Sequence, residues 1–287
     1  MKVMRVCLRR PSTVRAPRQR AESFPGVVDA VADRVEYCGV LVTRLTASEL
    51  ILNIKRAVER RTTLIASYIH LHTVNLMSAN PRLRDTLGQF DLVTPDGIAV
   101  LWSSRLFGTL FRRENIVAME MTMPTLIPES IREGWSFFLF GGQPNVAARA
   151  TENLSRAFPG IRVAGSRHGY IESCEDMNAV VASIALTRPT ILLVGLGQPK
   201  QEEWILQYRD RLGATFILAV GGYLDKLARS ASIYPEWIKR TQLYWLYRLL
   251  TERSRVWKRY SIGVPLFLWN VLRARRDRFV ARERRGA

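Results

Sequence analysis

Only three histidines and three cysteines occur in the 287 residues of this chain. Cys7, Cys38 and Cys174 are far apart with no Cys-x-x-Cys pair, and His70, His72 and His168 show no metal-ligand spacing. Neither a zinc site nor a disulfide framework is expected, and thiols in a reducing compartment fit best. Long apolar runs are missing too. Ile262–Leu272 is apolar but only eleven residues long and contains Pro265, whereas a spanning helix needs about 20 apolar residues. No Asp-x-Asp pair is present, which removes the usual means of holding a divalent metal on a nucleotide diphosphate. Gly-x-Gly-x-x-Gly is absent as well; the nearest approach, Gly195 to Lys200, reads Gly-x-Gly-x-x-Lys and does not support a dinucleotide fingerprint. The first 25 residues carry charge but no continuous apolar core, so they do not read as a secretory signal.

Acidic residues are scarce relative to basic ones: 43 Lys and Arg against 25 Asp and Glu leave a net charge of +18. The excess sits at the ends. Residues 1–25 hold seven basic side chains against Glu22, and residues 236–287 hold fourteen against four acids, so the remainder is nearly neutral. Three segments are therefore expected: a basic arm over 1–30, a globular body over 31–235 and a basic, tryptophan-rich appendage over 236–287. Such ends attract polyanions, whether nucleic acid, anionic lipid or phosphorylated ligands.

Within the body, nearly continuous apolar runs alternate with helical patterns. Strands are expected at Gly39–Leu45, Thr63–Ile69, Phe90–Thr94, Trp135–Phe140, Ile161–Ala164, Thr190–Val194 and Thr215–Val220. Helices are expected at Thr46–Arg61, with Thr46 or Ser48 as N-cap, and at Arg82–Leu87, Ile98–Leu106, Asn145–Phe158, Asp176–Leu186 and Lys200–Leu212. Apolar strands that alternate with helices imply an α/β fold, a mostly parallel Rossmann-like sheet with helices on both faces. A basic amphipathic helical appendage follows: Pro235–Tyr260 is helical in pattern, then comes the apolar run, then basic Arg273–Arg285.

Ligands of open α/β sheets bind beyond the carboxyl ends of the strands. Three of those ends carry glycines: Gly141 and Gly142, then Gly195 and Gly197 leading to Lys200, then Gly221 and Gly222. Glycine allows close backbone approach, and a following helix N-terminus offers free N–H groups to an anion. A phosphate-bearing ligand is expected there, although each glycine alone would read as a turn. Asp96, in Pro95-Asp96-Gly97, is either a turn residue or a carboxylate able to act as a base at the mouth of the sheet. Thr73 and Asn75 belong to the same edge, as ligand contacts or as helix caps.

Five blocks in order carry a resemblance. They are Asp91-Leu92-Val93-Thr94-Pro95-Asp96-Gly97-Ile98-Ala99-Val100; Phe140-Gly141-Gly142 with Pro144; Val194-Gly195-Leu196-Gly197-Gln198-Pro199-Lys200-Gln201-Glu202; Val220-Gly221-Gly222 with Asp225; and Trp245-Leu246-Tyr247-Arg248-Leu249-Leu250. Together they resemble the WecG/TagA/CpsF family, glycosyltransferase family 26, over roughly 37–260. The resemblance implies an inverting enzyme with no cofactor and no metal. Its donor would be a UDP-sugar, UDP-N-acetylmannosamine first and UDP-glucuronate or other hexoses in some members. Its acceptor would be a sugar on undecaprenyl diphosphate, placing the enzyme at the cytoplasmic face of an anionic membrane. The catalytic base falls at Asp96, with Thr73 and Gln201 near acceptor or donor. Glu202 and Asp225 come with the binding blocks. Arg248 and Arg255 would close the site and meet the membrane. The family's Arg-x-x-Gly-x-Asp segment stands here as Asn115-Ile116-Val117-Ala118-Met119-Glu120.

Two other functions compete. The basic ends with their tryptophans would suit a nucleic-acid binder, but no nucleic-acid motif accompanies them, and tryptophan beside Arg and Lys favours lipid headgroups; nucleic acid is not an expected partner. A dinucleotide oxidoreductase lacks its fingerprint. Self-association is left open.

Overall fold

The computed structural model describes residues 33–230 and 261–286, with side chains through 280. A hairpin of β1 (Asp33–Tyr37) and β2 (Val40–Arg44) precedes α1 (Ala47–Glu59). Thr46 caps α1 in a reciprocal box with Glu49, so the first of the two expected N-caps is the one used. Then come β3 (Leu64–Ile69), α2 (Leu71–Ala79), α3 (Arg82–Leu87), β4 (Leu92–Pro95), α4 (Ile98–Ser104), α5 (Met119–Arg132), β5 (Ser136–Gly141), α6 (Val146–Ala157), β6 (Arg162–Arg167), α7 (Cys174–Thr187), β7 (Ile191–Gly195), α8 (Lys200–Tyr208), β8 (Phe216–Ala219) and α9 (Tyr223–Leu227). A 24-residue helix, α10 (Gly263–Gly286), lies at the C-terminal end.

Six strands form one parallel sheet in the order β4-β3-β8-β7-β5-β6. Alternate residues of each strand serve opposite cores. Phe138 and Phe140 of β5 join one core with Leu192, Val194, Trp204 and Ile205. Phe137 and Leu139 join the other with Ile191, Leu193, Phe216 and Leu218. Helices α2, α8 and α10 cover the first face, and α1, α5, α6 and α9 the second. Because both faces are apolar, the central strands β5, β7 and β8 read as unbroken hydrophobic runs, whereas the edge strand β6 (RVAGSR) does not.

All seven expected strands are present within a few residues. Two expected helices end early in a 3-10 turn, at Arg105–Phe107 after α4 and at Arg209–Arg211 after α8. Four elements carry no such signal in the sequence: β1, α2, α5 and the short α9. Helix α5 contains Pro124 and Pro128, which interrupt the helical pattern. Helix α2 begins two residues after β3 with His70, an uncommon N-cap, in the capping position. Cys38 is a free, buried thiol that burial pushes up to about 12.

The apolar run and the basic tail at the C-terminus form one helix, α10, with Pro265 in its first turn, where the missing N–H costs little. Phe267 and Val271 enter the core, and Arg278 donates to the Phe107 carbonyl at 3.1 Å. The opposite face leaves Ile262, Leu266, Trp269 and Leu272 in solvent, beside exposed Arg273, Arg275 and Arg276. No described helix is long and apolar enough to cross a membrane. The 1–30 arm, the Pro235–Tyr260 pattern, Arg248 and Arg255 lie outside the described residues.

Candidate functional site

Because every strand of the main sheet is parallel, all the motif-bearing ends fall on one edge. At β4, Pro95 pairs with Ile69 of β3, and the Asp96 N–H donates to the Ile69 carbonyl at 2.8 Å. The ladder thus ends at Asp96. Gly97 then turns at φ +84°, and α4 begins. Asp96 is half-buried at the mouth.

Beyond β3, Thr73 has two structural tasks. Its backbone N–H donates to His70 Nδ1 at 3.1 Å, while its Oγ1 accepts from the His70 N–H at 3.1 Å, closing a capping box at the start of α2. Its hydroxyl also donates to Gln198 Oε1 at 2.7 Å, across 125 residues of chain. Thr73 is fully buried. Asn75 is turned toward α10: its Nδ2 donates to the Gly263 carbonyl at 2.9 Å, and its Oδ1 accepts from Asn270 Nδ2 at 3.0 Å. Its side-chain amide therefore ties the C-terminal helix to the helix that carries Thr73.

The β7 motif folds inward. Gln201 and Glu202, on the first turn of α8, are both fully buried, whereas Lys200 is half-buried. Glu202 Oε1 accepts from Ser67 Oγ at 2.8 Å, Gln201 Nε2 at 2.9 Å and Gln198 Nε2 at 3.0 Å. Burial pushes the Glu202 carboxyl above the ordinary carboxylate range, against the lowering pull of Gln201, Gln198 and Ser67. Gln201 Oε1 in turn accepts the Gly221 N–H at 3.0 Å. One carboxyl group thus joins the ends of β3, β7 and β8.

The glycines divide into two sets. A Cβ on Gly141 would stand 2.3 Å from the Gly195 carbonyl oxygen, and one on Gly195 would stand 2.8 Å from that of Gly221. These three glycines let the strand ends approach one another. At Gly97 and Gly197, by contrast, an added Cβ would meet nothing within 4 Å, so the backbone there borders open space. A Cβ on half-buried Gly142 would crowd Val146, and Gly222 is exposed beside Asp225.

Between the start of α6 and the end of α9 lies an open cleft lined by Gln143, Asn145, Arg149, Asp225 and Arg229. Two guanidinium groups make it suitable for an anion. Asp225 was expected at the site. Arg149 and Arg229 were not, because single arginines inside amphipathic patterns read as solvated faces. Gln198 was missed for another reason: within its motif it looked like turn sequence. Among the described residues no three His, Cys, Asp or Glu side chains come together as a metal would require.

The edge therefore combines a carboxylate at the end of β4, an amide network at the ends of β3, β7 and β8, and a basic cleft beyond β5 and β8. Residues 35–280 match the model of the glycosyl transferase WecG/TagA/CpsF family. An N-acetylglucosaminyldiphosphoundecaprenol N-acetyl-beta-D-mannosaminyltransferase of Bacillus spizizenii is 32% identical over 197 residues, which cover 69% of this chain and 74% of that one. An enzyme of the same name from Staphylococcus aureus is 29% identical over 246 residues, covering 85% of this chain and 94% of its own. A similar enzyme from Bacillus subtilis is 29% identical over 194 residues, covering 68% and 73%. With the motif blocks brought to one sheet edge and the match running through nearly the whole described body and into α10, the chain belongs to the WecG/TagA/CpsF family of glycosyltransferases.

Proposed function

We propose that this glycosyltransferase moves a hexose or N-acetylhexosamine, N-acetylmannosamine first, from a UDP-sugar to a sugar carried on undecaprenyl diphosphate, in cell-surface polysaccharide synthesis. The observation that carries the reading is the position of Asp96, anchored by its own backbone at the ladder's end beside open space at Gly97. The names of the relatives support the choice of acceptor and sugar.

In this mechanism the acceptor hydroxyl lies at the mouth. Asp96 takes its proton as the oxygen attacks the anomeric carbon. The UDP leaves from the opposite face, which inverts the anomeric configuration. The cleft at Gln143–Asn145 and Asp225 receives the nucleotide end, and Arg149 and Arg229 offset the diphosphate charge. No metal takes part in this scheme. Lys200, half-buried at the start of α8, adds a further positive charge at the same edge.

The acceptor's lipid tail stays in the bilayer, so the mouth must come to headgroup level. The outward face of α10, with Leu266, Trp269 and Arg273, suits a peripheral contact with an anionic membrane surface. Arg248 and Arg255, seven residues apart, fall on one face if helical, and are assigned to closing the site.

The test is direct. The full chain is incubated with a panel of UDP-sugars and lipid-diphosphate-linked monosaccharides, and new glycolipid is sought by mass. A product with UDP-N-acetylmannosamine supports the reading; product from a different donor corrects the sugar. No transfer from any donor to any lipid-linked acceptor would overturn it.

A further inference from the structure

Glu202 is in contact with both glutamines of the β7 motif, yet it has no exposed surface through which to meet a substrate. Its Oε1 takes three donors, while no hydrogen bond reaches its Oε2, which is also buried. This asymmetry matters because a side-chain amide has two senses, with oxygen and nitrogen exchanged. An acceptor at the Oε1 position forces the nitrogens of Gln198 and Gln201 inward. Their oxygens must then point away, and each oxygen has a specific task. Gln198 Oε1 accepts the Thr73 hydroxyl at 2.7 Å, and Gln201 Oε1 accepts the Gly221 N–H at 3.0 Å. Gln198 Nε2 also reaches the Tyr68 carbonyl at 3.2 Å.

We propose that Glu202 is a positioning residue: its buried Oε1 sets the sense of the Gln198 and Gln201 amides, and through them holds Thr73 and the Gly221 turn in place at the mouth. The proposal rests on the reading of that mouth as the transfer site. Reversing either amide would break the arrangement, since a turned Gln201 would face donor to donor at Gly221. What Glu202 supplies is reach and acceptor character. Its charge is not required, because the second oxygen has no hydrogen-bond partner to lose.

Two variants of the full chain separate these properties. Glu202→Gln keeps the reach and one acceptor oxygen but removes the charge. Glu202→Asp keeps the charge and draws the oxygens back by one methylene. Two measurements are made on each. The first is hydrogen exchange at the Gly221 amide, with the Val220 amide as internal control, since that group is held by the Val194 carbonyl of the sheet. The second is transfer kinetics. Glu202→Gln is expected to match the parent in both. Glu202→Asp is expected to release Gly221 with exchange at least roughly tenfold faster, with Val220 unchanged. Its kcat should fall by roughly 10- to 100-fold, while KM for the UDP-sugar stays within about threefold. The reverse ranking, with Asp tolerated and Gln damaging, would overturn the proposal, as would two unaffected or two equally damaged variants. The exchange arm needs no substrate. If the parent protein transfers no sugar, the proposed function fails, and exchange still decides whether Glu202 orders the network.

Discussion

The Asp96 N–H and the Ile69 carbonyl, 2.8 Å apart, close the β3–β4 ladder and fix the backbone of the candidate base at the mouth of the sheet. The side chain then starts from a rigid origin, while Gly97 after it has open space at its missing Cβ. Replacing Asp96 with asparagine retains the shape and removes the base. Turnover should fall by roughly 10²- to 10⁴-fold with UDP-sugar binding retained. Titration calorimetry and single-turnover assays check this; parent-like turnover would remove Asp96 from the mechanism.

Metal removal should leave transfer intact. The sequence has no Asp-x-Asp pair, and the cleft beyond β5 and β8 carries two arginines, to which the proposed mechanism gives the diphosphate charge. Activity measured in EDTA should equal that with added Mg²⁺. Loss in chelator, restored by Mg²⁺ or Mn²⁺, would reveal a metal requirement.

Gly141→Ala should destabilise the fold. The new Cβ would lie 2.3 Å from the Gly195 oxygen, a backbone atom at the centre of the sheet, and φ is +139°. Overpacking of this kind costs on the order of 3 kcal/mol. Gly97→Ala meets no atom within 4 Å, so it should cost about 2 kcal/mol, from its φ +84°, ψ 156° backbone alone, whereas Gly141→Ala adds a clash to its own positive φ. Thermal melts of the two variants should rank in that order.

Membrane contact should depend on the outward face of α10. Trp269 is 67% exposed and Leu266 45%, so changing both to glutamate should not disturb packing. Pelleting with anionic liposomes should drop, and salt should weaken what remains. Charge reversal at Arg248 and Arg255 should also slow transfer to a short-chain soluble acceptor, an assay without a bilayer. If that activity is unchanged while liposome binding falls, the two arginines are anchors only.

Much of the scaffold was legible in the sequence because its signals are local. Ile191–Val194 and Phe137–Phe140 are apolar at every position, since each strand is covered on both faces. Asp96, Gly97 and the Gly195–Glu202 block stand at the strand–helix junctions where an α/β sheet keeps its ligand edge, so the edge was found before its geometry. The irregular helices were not found: the prolines of α5 and the histidine cap of α2 break the patterns that mark helices.

What only the tertiary structure decided is which side chains face one another. Strand order places β3 beside β8, and β8 beside β7, and so brings Ser67 to Glu202 across 135 residues, while the packing of α10 on α2 brings Asn75 to Asn270 across 195. From sequence, Gln201 and Glu202 looked like ligand contacts; the fold buries both. Likewise Gly141 and Gly195 looked like room for a phosphate, and in the sheet they make room for each other. Periodicity and turn chemistry reach only a few residues along the chain. Burial and hydrogen-bond partnership depend on contacts between distant segments, and these exist only once the sheet has assembled.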